Sequence, residues 1–87
     1  MSEHQRRTID RQQTGARIEK RMLKVLKALA EYLDMSMGDL LEGIVLHAFD
    51  GKTPFSKETL TKIEQIREIY ELELTSEDSH LLVERSA

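Results

Sequence analysis

Met22, Leu26, Leu29 and Leu33 recur at i, i+4, i+7 and i+11, one stripe of a helix that turns every 3.6 residues. Leu23 lies beside that stripe, with Val25 and Tyr32 on its other flank, so the spacing predicts a helix over 19–33. Lys20, Lys24 and Lys27 fall roughly opposite, about 180° away by helical geometry. One face is therefore apolar and the other basic. The pattern stops at Asp34-Met35, where Ser36 followed by Asp39 reads as a new N-cap with its capping-box partner. Leu40, Leu41, Ile44, Val45, Ala48 and Phe49 then define a second helix with a wide apolar face. Asp50-Gly51 ends it, since glycine accepts the left-handed C′ conformation without a Cβ clash. So short a connection makes the two helices pack as a hairpin.

A linker, Lys52-Thr53-Pro54-Phe55, precedes a third helical pattern that opens at Ser56 and carries Leu60, Ile63, Ile66, Ile69 and Tyr70 on one side. It is expected to run to about Glu73. Its other faces, with Glu58, Lys62, Glu64, Arg67, Glu68 and Glu71, read as ordinary solvated surface. The chain thus divides into a polar, flexible basic arm over 1–12, a helical unit over 13–50, linker and third helix over 51–75, and an acidic tail over 76–87. Within the tail, Leu81-Leu82-Val83 is the one apolar run, with a short docked strand or turn as the alternative to plain tail. There is no internal repeat.

At 87 residues and 39% apolar composition, a single copy can bury only a thin core. Cysteine is absent and no His, Asp or Glu set has metal-ligand spacing, so neither disulfides nor a metal supplies the missing stability. Self-association remains. No apolar run approaches the length of a signal-peptide core or a membrane span, which points to a cytoplasmic protein with no membrane partner. The formal net charge of −3 hides an asymmetry: residues 1–27 hold eight Lys and Arg against three acids, a net of +5, and residues 28–87 carry a net of −8. A basic front of this kind fits an anionic ligand, or is a solvated basic face.

Catalytic chemistry finds little support. His4, His47 and His80 are scattered, and no serine sits in a nucleophile elbow or a glycine-rich phosphate loop. His47 near the end of the second helix reads as a partly exposed imidazole at the negative dipole end. Met35 and Met37, flanking the turn, read as gap-fillers in a dimer core. No cofactor is implied.

Between arm and first helix lies Gln13-Thr14-Gly15-Ala16-Arg17-Ile18, too short for a helix of its own and readable as a loop or a strand. As a strand, it would place Thr14, Ala16 and Ile18 on one face and Gln13, Gly15 and Arg17 on the other. With that segment, the stripe of Met22, Leu23, Leu26, Leu29 and Ala30, the turn at Asp34-Met35-Ser36 and the set Leu40, Leu41, Ile44 and Val45, the span 13–49 resembles the ribbon-helix-helix family of repressors, the Arc, MetJ and CopG type. The resemblance covers under half of the chain and lies in order and spacing more than in any one residue.

The resemblance implies a mainly α fold with one short N-terminal β-strand, paired between two chains as an antiparallel two-stranded ribbon over an intertwined homodimer, plus a C-terminal third helix. It implies double-stranded DNA as a partner, with the ribbon's outer side chains in the major groove. Gln13, Gly15 and Arg17 match the base-reading positions. Arginine can pair with guanine and glutamine with adenine, whereas Gly15 can read nothing. Ser36, Met37 and Gly38 match a phosphate-holding helix start, and Arg6, Arg7 and Arg11 add phosphate contacts from the arm. Ala16, Ile18, Met22, Leu26, Leu29, Leu33, Leu41, Ile44 and Val45 match the dimer core. The expected function is sequence-specific transcription regulation, as a repressor or the DNA-binding half of an antitoxin, whose third helix and tail would engage a protein partner. The alternative is a dimeric helical interaction module that does not bind DNA.

Overall fold

The structure, a computed structural model, describes residues 6–86. It consists of three α-helices, α1 (Lys20–Tyr32), α2 (Met37–Phe49) and α3 (Lys57–Ile69), followed by a single 3₁₀ turn at Ser76–Asp78. Helix α1 is the centre: α2 and α3 each pack against it and not against each other. Val25, Leu29 and Ala30 of α1, Leu40 of α2 and Ile66 of α3 are buried, ringed by Leu26, Leu33, Met37, Ile44, Phe55, Ile63, Tyr70 and Leu72. Among the described residues no side chain is wholly enclosed. The core is as thin as the composition requires.

Each helix is thirteen residues long, and each begins on a side-chain cap. Glu19 accepts the amide of Met22 at 2.9 Å, Ser36 Oγ accepts that of Asp39 at 3.1 Å, and Ser56 Oγ accepts that of Thr59 at 3.2 Å. These bonds satisfy donors that the first helical turn leaves without a partner. At Ser36 the hydroxyl half of the expected capping box forms, without the reciprocal carboxylate bond.

The three helices also end alike. Asp34, Gly51 and Glu71 take positive φ values of 59°, 68° and 53°. The amide after each turns back to a carbonyl of the last helical turn: Met35 to Ala30 at 3.0 Å, Lys52 to His47 at 2.8 Å and Leu72 to Arg67 at 2.9 Å. This is the Schellman arrangement. It ends α3 at Ile69, short of the expected Glu73, and the chain then turns at Thr75, whose amide donates to Asp78 Oδ2 at 2.9 Å. Helices α1 and α3 run antiparallel, tied by Lys24 Nζ at 6.0 Å from the Tyr70 ring centre and Lys62 Nζ at 5.3 Å from that of Tyr32.

One expectation is overturned. The segment 13–18 forms no strand; no β-strand exists among the described residues, and the two-stranded ribbon is absent. Thr14, Ala16 and Ile18, expected to face inward, are exposed like Gln13, Gly15 and Arg17. The reason is physical: a strand needs a neighbouring edge to pair with, the chain presents none, and Gly15 and Ala16 have little strand propensity. Leu81, Leu82 and Val83 likewise form neither strand nor docked turn, and all three are exposed.

The residues expected in a dimer core divide. Leu29 is buried within the single chain; Met22, Leu26, Leu33, Leu41 and Ile44 are half-buried; Ala16, Ile18 and Val45 are exposed. Val25 and Ala30, outside the expected dimer core, complete the core of the single chain because α1 is flanked on two sides and therefore buries a wide arc.

Candidate nucleic-acid interface

The cations of the basic front lie on two elements, the extended segment before α1 and the outer face of α1. Every residue from Arg6 to Ile18 is exposed. On α1, Lys20, Lys24 and Lys27 are exposed in a row of about 10 Å at 1.5 Å per residue. None of the three makes an ion pair among the described residues. At one phosphate of each strand per 3.4 Å of duplex axis, a row of that length laid along the axis spans roughly three phosphates of one strand.

The extended segment is held at two points. Near its start, Arg11 donates to Glu42 of α2 from Nε at 2.8 Å and from Nη2 at 2.9 Å. Hydrogen bonding by Glu42, and then its charge, raise the Arg11 pKa, with Asp39 adding to the effect. The same bonds hold the Glu42 carboxyl below the ordinary glutamate range. At its end, Arg17 donates from Nε to Glu84 Oε1 at 3.3 Å, and Nη2 contacts Glu84 Oε2. Arg6 and Arg7 have no ion-pair partner among the described residues.

Arg21, at the start of α1, bonds Glu19 Oε2 at 3.1 Å and the carbonyl oxygen of Glu71 at 3.0 Å. The Glu19 carboxyl is pushed down, first by the backbone amide of Met22 that it caps and then by Arg21. Ser36 caps α2, leaving the amides of Met37 and Gly38 without an intrahelical acceptor. Gly38 is exposed and Met37 leans on the core. The Arg11 contact brings the extended segment to this end of α2, but Asp39 in the first turn opposes an anion there.

Sequence reasoning found the cations and missed their partners. Glu42 carried a signal: it is the acid that shares an apolar face with Val45, Leu46 and Phe49 at i+3, i+4 and i+7, so it needs a counter-charge. Glu71, Tyr70 and Glu84 carried none, since antiparallel packing of α3 on α1 brings the first two to the basic front and chain reversal after α3 brings the third. An open hollow of about 290 Å³ lies along the end of α3 and the residues that follow it, lined by Glu64, Arg67, Glu68, Glu71, Leu72 and Glu73. Four carboxylates against one guanidinium disfavour an anionic occupant, and no metal-binding cluster exists among the described residues. No helix there is long and apolar enough to cross a membrane. No family model, no curated protein and no solved structure matches the chain.

Proposed function

We propose that the chain is a homodimeric regulator that binds double-stranded DNA through its basic front. The observation that carries this reading is charge segregation: exposed cations of the extended segment and of one α1 face occupy the first 27 residues, while the remainder is acidic. Lys20, Lys24, Lys27, Arg6 and Arg7 make sequence-independent phosphate contacts, while the start of α2 at Ser36, Met37 and Gly38 is disfavoured for that role by Asp39. Gln13 and Arg17, both exposed and able to make bidentate hydrogen bonds, read base edges from the irregular segment before α1. Gly15 lets that backbone approach closely, with no atom within 4 Å of the Cβ position.

The second copy sits on the outer face of α2. That helix is apolar nearly all round, a pattern that belongs to a buried helix, yet Val45, Leu46 and Phe49 are 43%, 63% and 81% exposed. Five buried residues among those described are a small core for a chain of this length, and apolar area of this kind is what a second copy would contribute. Pairing of Glu42 with Arg11 makes burial of this carboxylate less costly than burial of an unpaired charge.

The test is fluorescence anisotropy of the protein titrated into labelled duplex from upstream of its own gene and into a random duplex, at two salt concentrations. Tighter, salt-sensitive binding to the upstream duplex supports a sequence-reading regulator. Absence of binding to either duplex at low salt favours the second reading, a helical interaction module. Ile69, Leu81, Leu82 and Val83, exposed along the end of α3 and the tail, are the observation behind that second reading.

A further inference from the structure

The cations of the basic front are contacted repeatedly by one part of the same molecule. Arg17 is paired with Glu84, Arg21 donates to the Glu71 carbonyl, and Lys24 lies over the Tyr70 ring. All three partners come from the segment that follows α3. Residues 68–84 contain six acids, Glu68, Glu71, Glu73, Glu77, Asp78 and Glu84, and no lysine or arginine. The left-handed residue Glu71 and the capped turn at Thr75–Asp78 reverse the chain after α3, so that Glu84 meets Arg17 across 67 positions of sequence.

We propose that this C-terminal segment is a built-in anionic cover for the basic front, with the Glu84 carboxylate occupying the place on Arg17 that a nucleic-acid anion or guanine edge would take. The proposal rests on the DNA-binding reading and adds regulation to it. The Arg17 and Glu84 side chains are 83% and 67% exposed, so solvent screens the pair and it contributes little to stability. That weakness suits a cover. A buried clamp would abolish binding, whereas an exposed pair lowers affinity by a factor that a duplex, with many phosphates, overcomes. Duplex binding must therefore displace Glu84, and the chain discriminates against short or weakly charged polyanions that cannot.

The experiment compares the full-length protein with Glu84→Gln and with Glu77→Gln in duplex anisotropy titrations at low and high salt. Glu77 makes no ion pair among the described residues, so its substitution removes the same charge without opening Arg17. The expected result is binding about two- to fivefold tighter for Glu84→Gln at low salt, a smaller change for Glu77→Gln, and convergence at high salt. Equal gains for both variants reduce the effect to net charge and overturn the cover, as does no gain for Glu84→Gln; in both cases the DNA-binding reading stands. If no form binds duplex at low salt, the DNA-binding reading falls and the cover falls with it.

Discussion

Arg11 and Glu42, 31 positions apart, face each other fork to fork, with the guanidinium donating from Nε and Nη2 to the two carboxylate oxygens at 2.8 and 2.9 Å. The pair fixes the extended segment to α2 and neutralises the acid on its outer apolar face. Its contribution depends on pH with a definite sign. Glu42 has a depressed pKa in the folded chain, so the stabilisation is complete above the unfolded value of about 4.3 and is lost as pH falls through the lower folded value. An NMR titration of the Glu42 carboxyl should show a midpoint that moves upward in Arg11→Gln. A midpoint unmoved by that substitution would mean the pair does not persist in solution.

The outer face of α2 yields a prediction about assembly. Phe49 is 81% exposed in the single chain, so Phe49→Ser should change monomer stability by no more than about 0.5 kcal/mol. At a dimer seam the same substitution loses roughly 1.5–3 kcal/mol of burial per subunit, and the dissociation constant should rise at least tenfold. Sedimentation should find the parent protein dimeric at micromolar concentration and the variant shifted to monomer. A parent that stays monomeric at every concentration would remove the homodimer from the reading.

Three helix ends with one geometry but three different residues make an internal comparison. Gly51 accepts its positive φ freely, whereas Asp34 and Glu71 hold side chains in the left-handed region at a cost on the order of 1 kcal/mol. Glu71→Gly should therefore raise the urea midpoint by the equivalent of about 1 kcal/mol, and Gly51→Ala should lower it by a similar amount. Leu29→Ala, at the centre of the core with 3% exposure, should cost about 2–5 kcal/mol. In so thin a core, that is enough to leave much of the population unfolded.

Local signals were legible and long-range ones were not. Ser36, the 3.6-residue stripes and Asp50-Gly51 placed α1 and α2 within a residue of their observed ends, because caps and periodicity act over a few residues. The end of α3 was misplaced because Glu71, a good helix former, is left-handed here and carries no sequence mark of it. The segment 13–18 was misread for a different reason: a strand is a property of a pair of edges, and alternation of Thr14, Ala16 and Ile18 says nothing of whether an edge exists. Of the candidate interface, the cations were legible and their pairing with Glu42, Glu71 and Glu84 was not, since each pair joins positions at least 31 residues apart.

Arg17 and the pair Arg6-Arg7 should behave differently if the front binds DNA in the way proposed. Arg6 and Arg7 are exposed and make no ion pair among the described residues, so they act as point charges toward phosphate. Replacing both with alanine should weaken binding to every duplex alike and, with two arginines lost from each subunit of the dimer, flatten the dependence of log affinity on log salt by up to about 3.6. Arg17→Ala should instead weaken binding by about 1–3 kcal/mol at one base position per half-site and relax preference there, because a guanidinium that bonds a guanine edge carries sequence information that a phosphate contact lacks. Anisotropy against a panel of duplexes, each altered at one position, separates the two. If Arg17→Ala lowers affinity for every duplex equally, Arg17 contacts phosphate only, and sequence preference has to come from Gln13 or from the shape of the DNA.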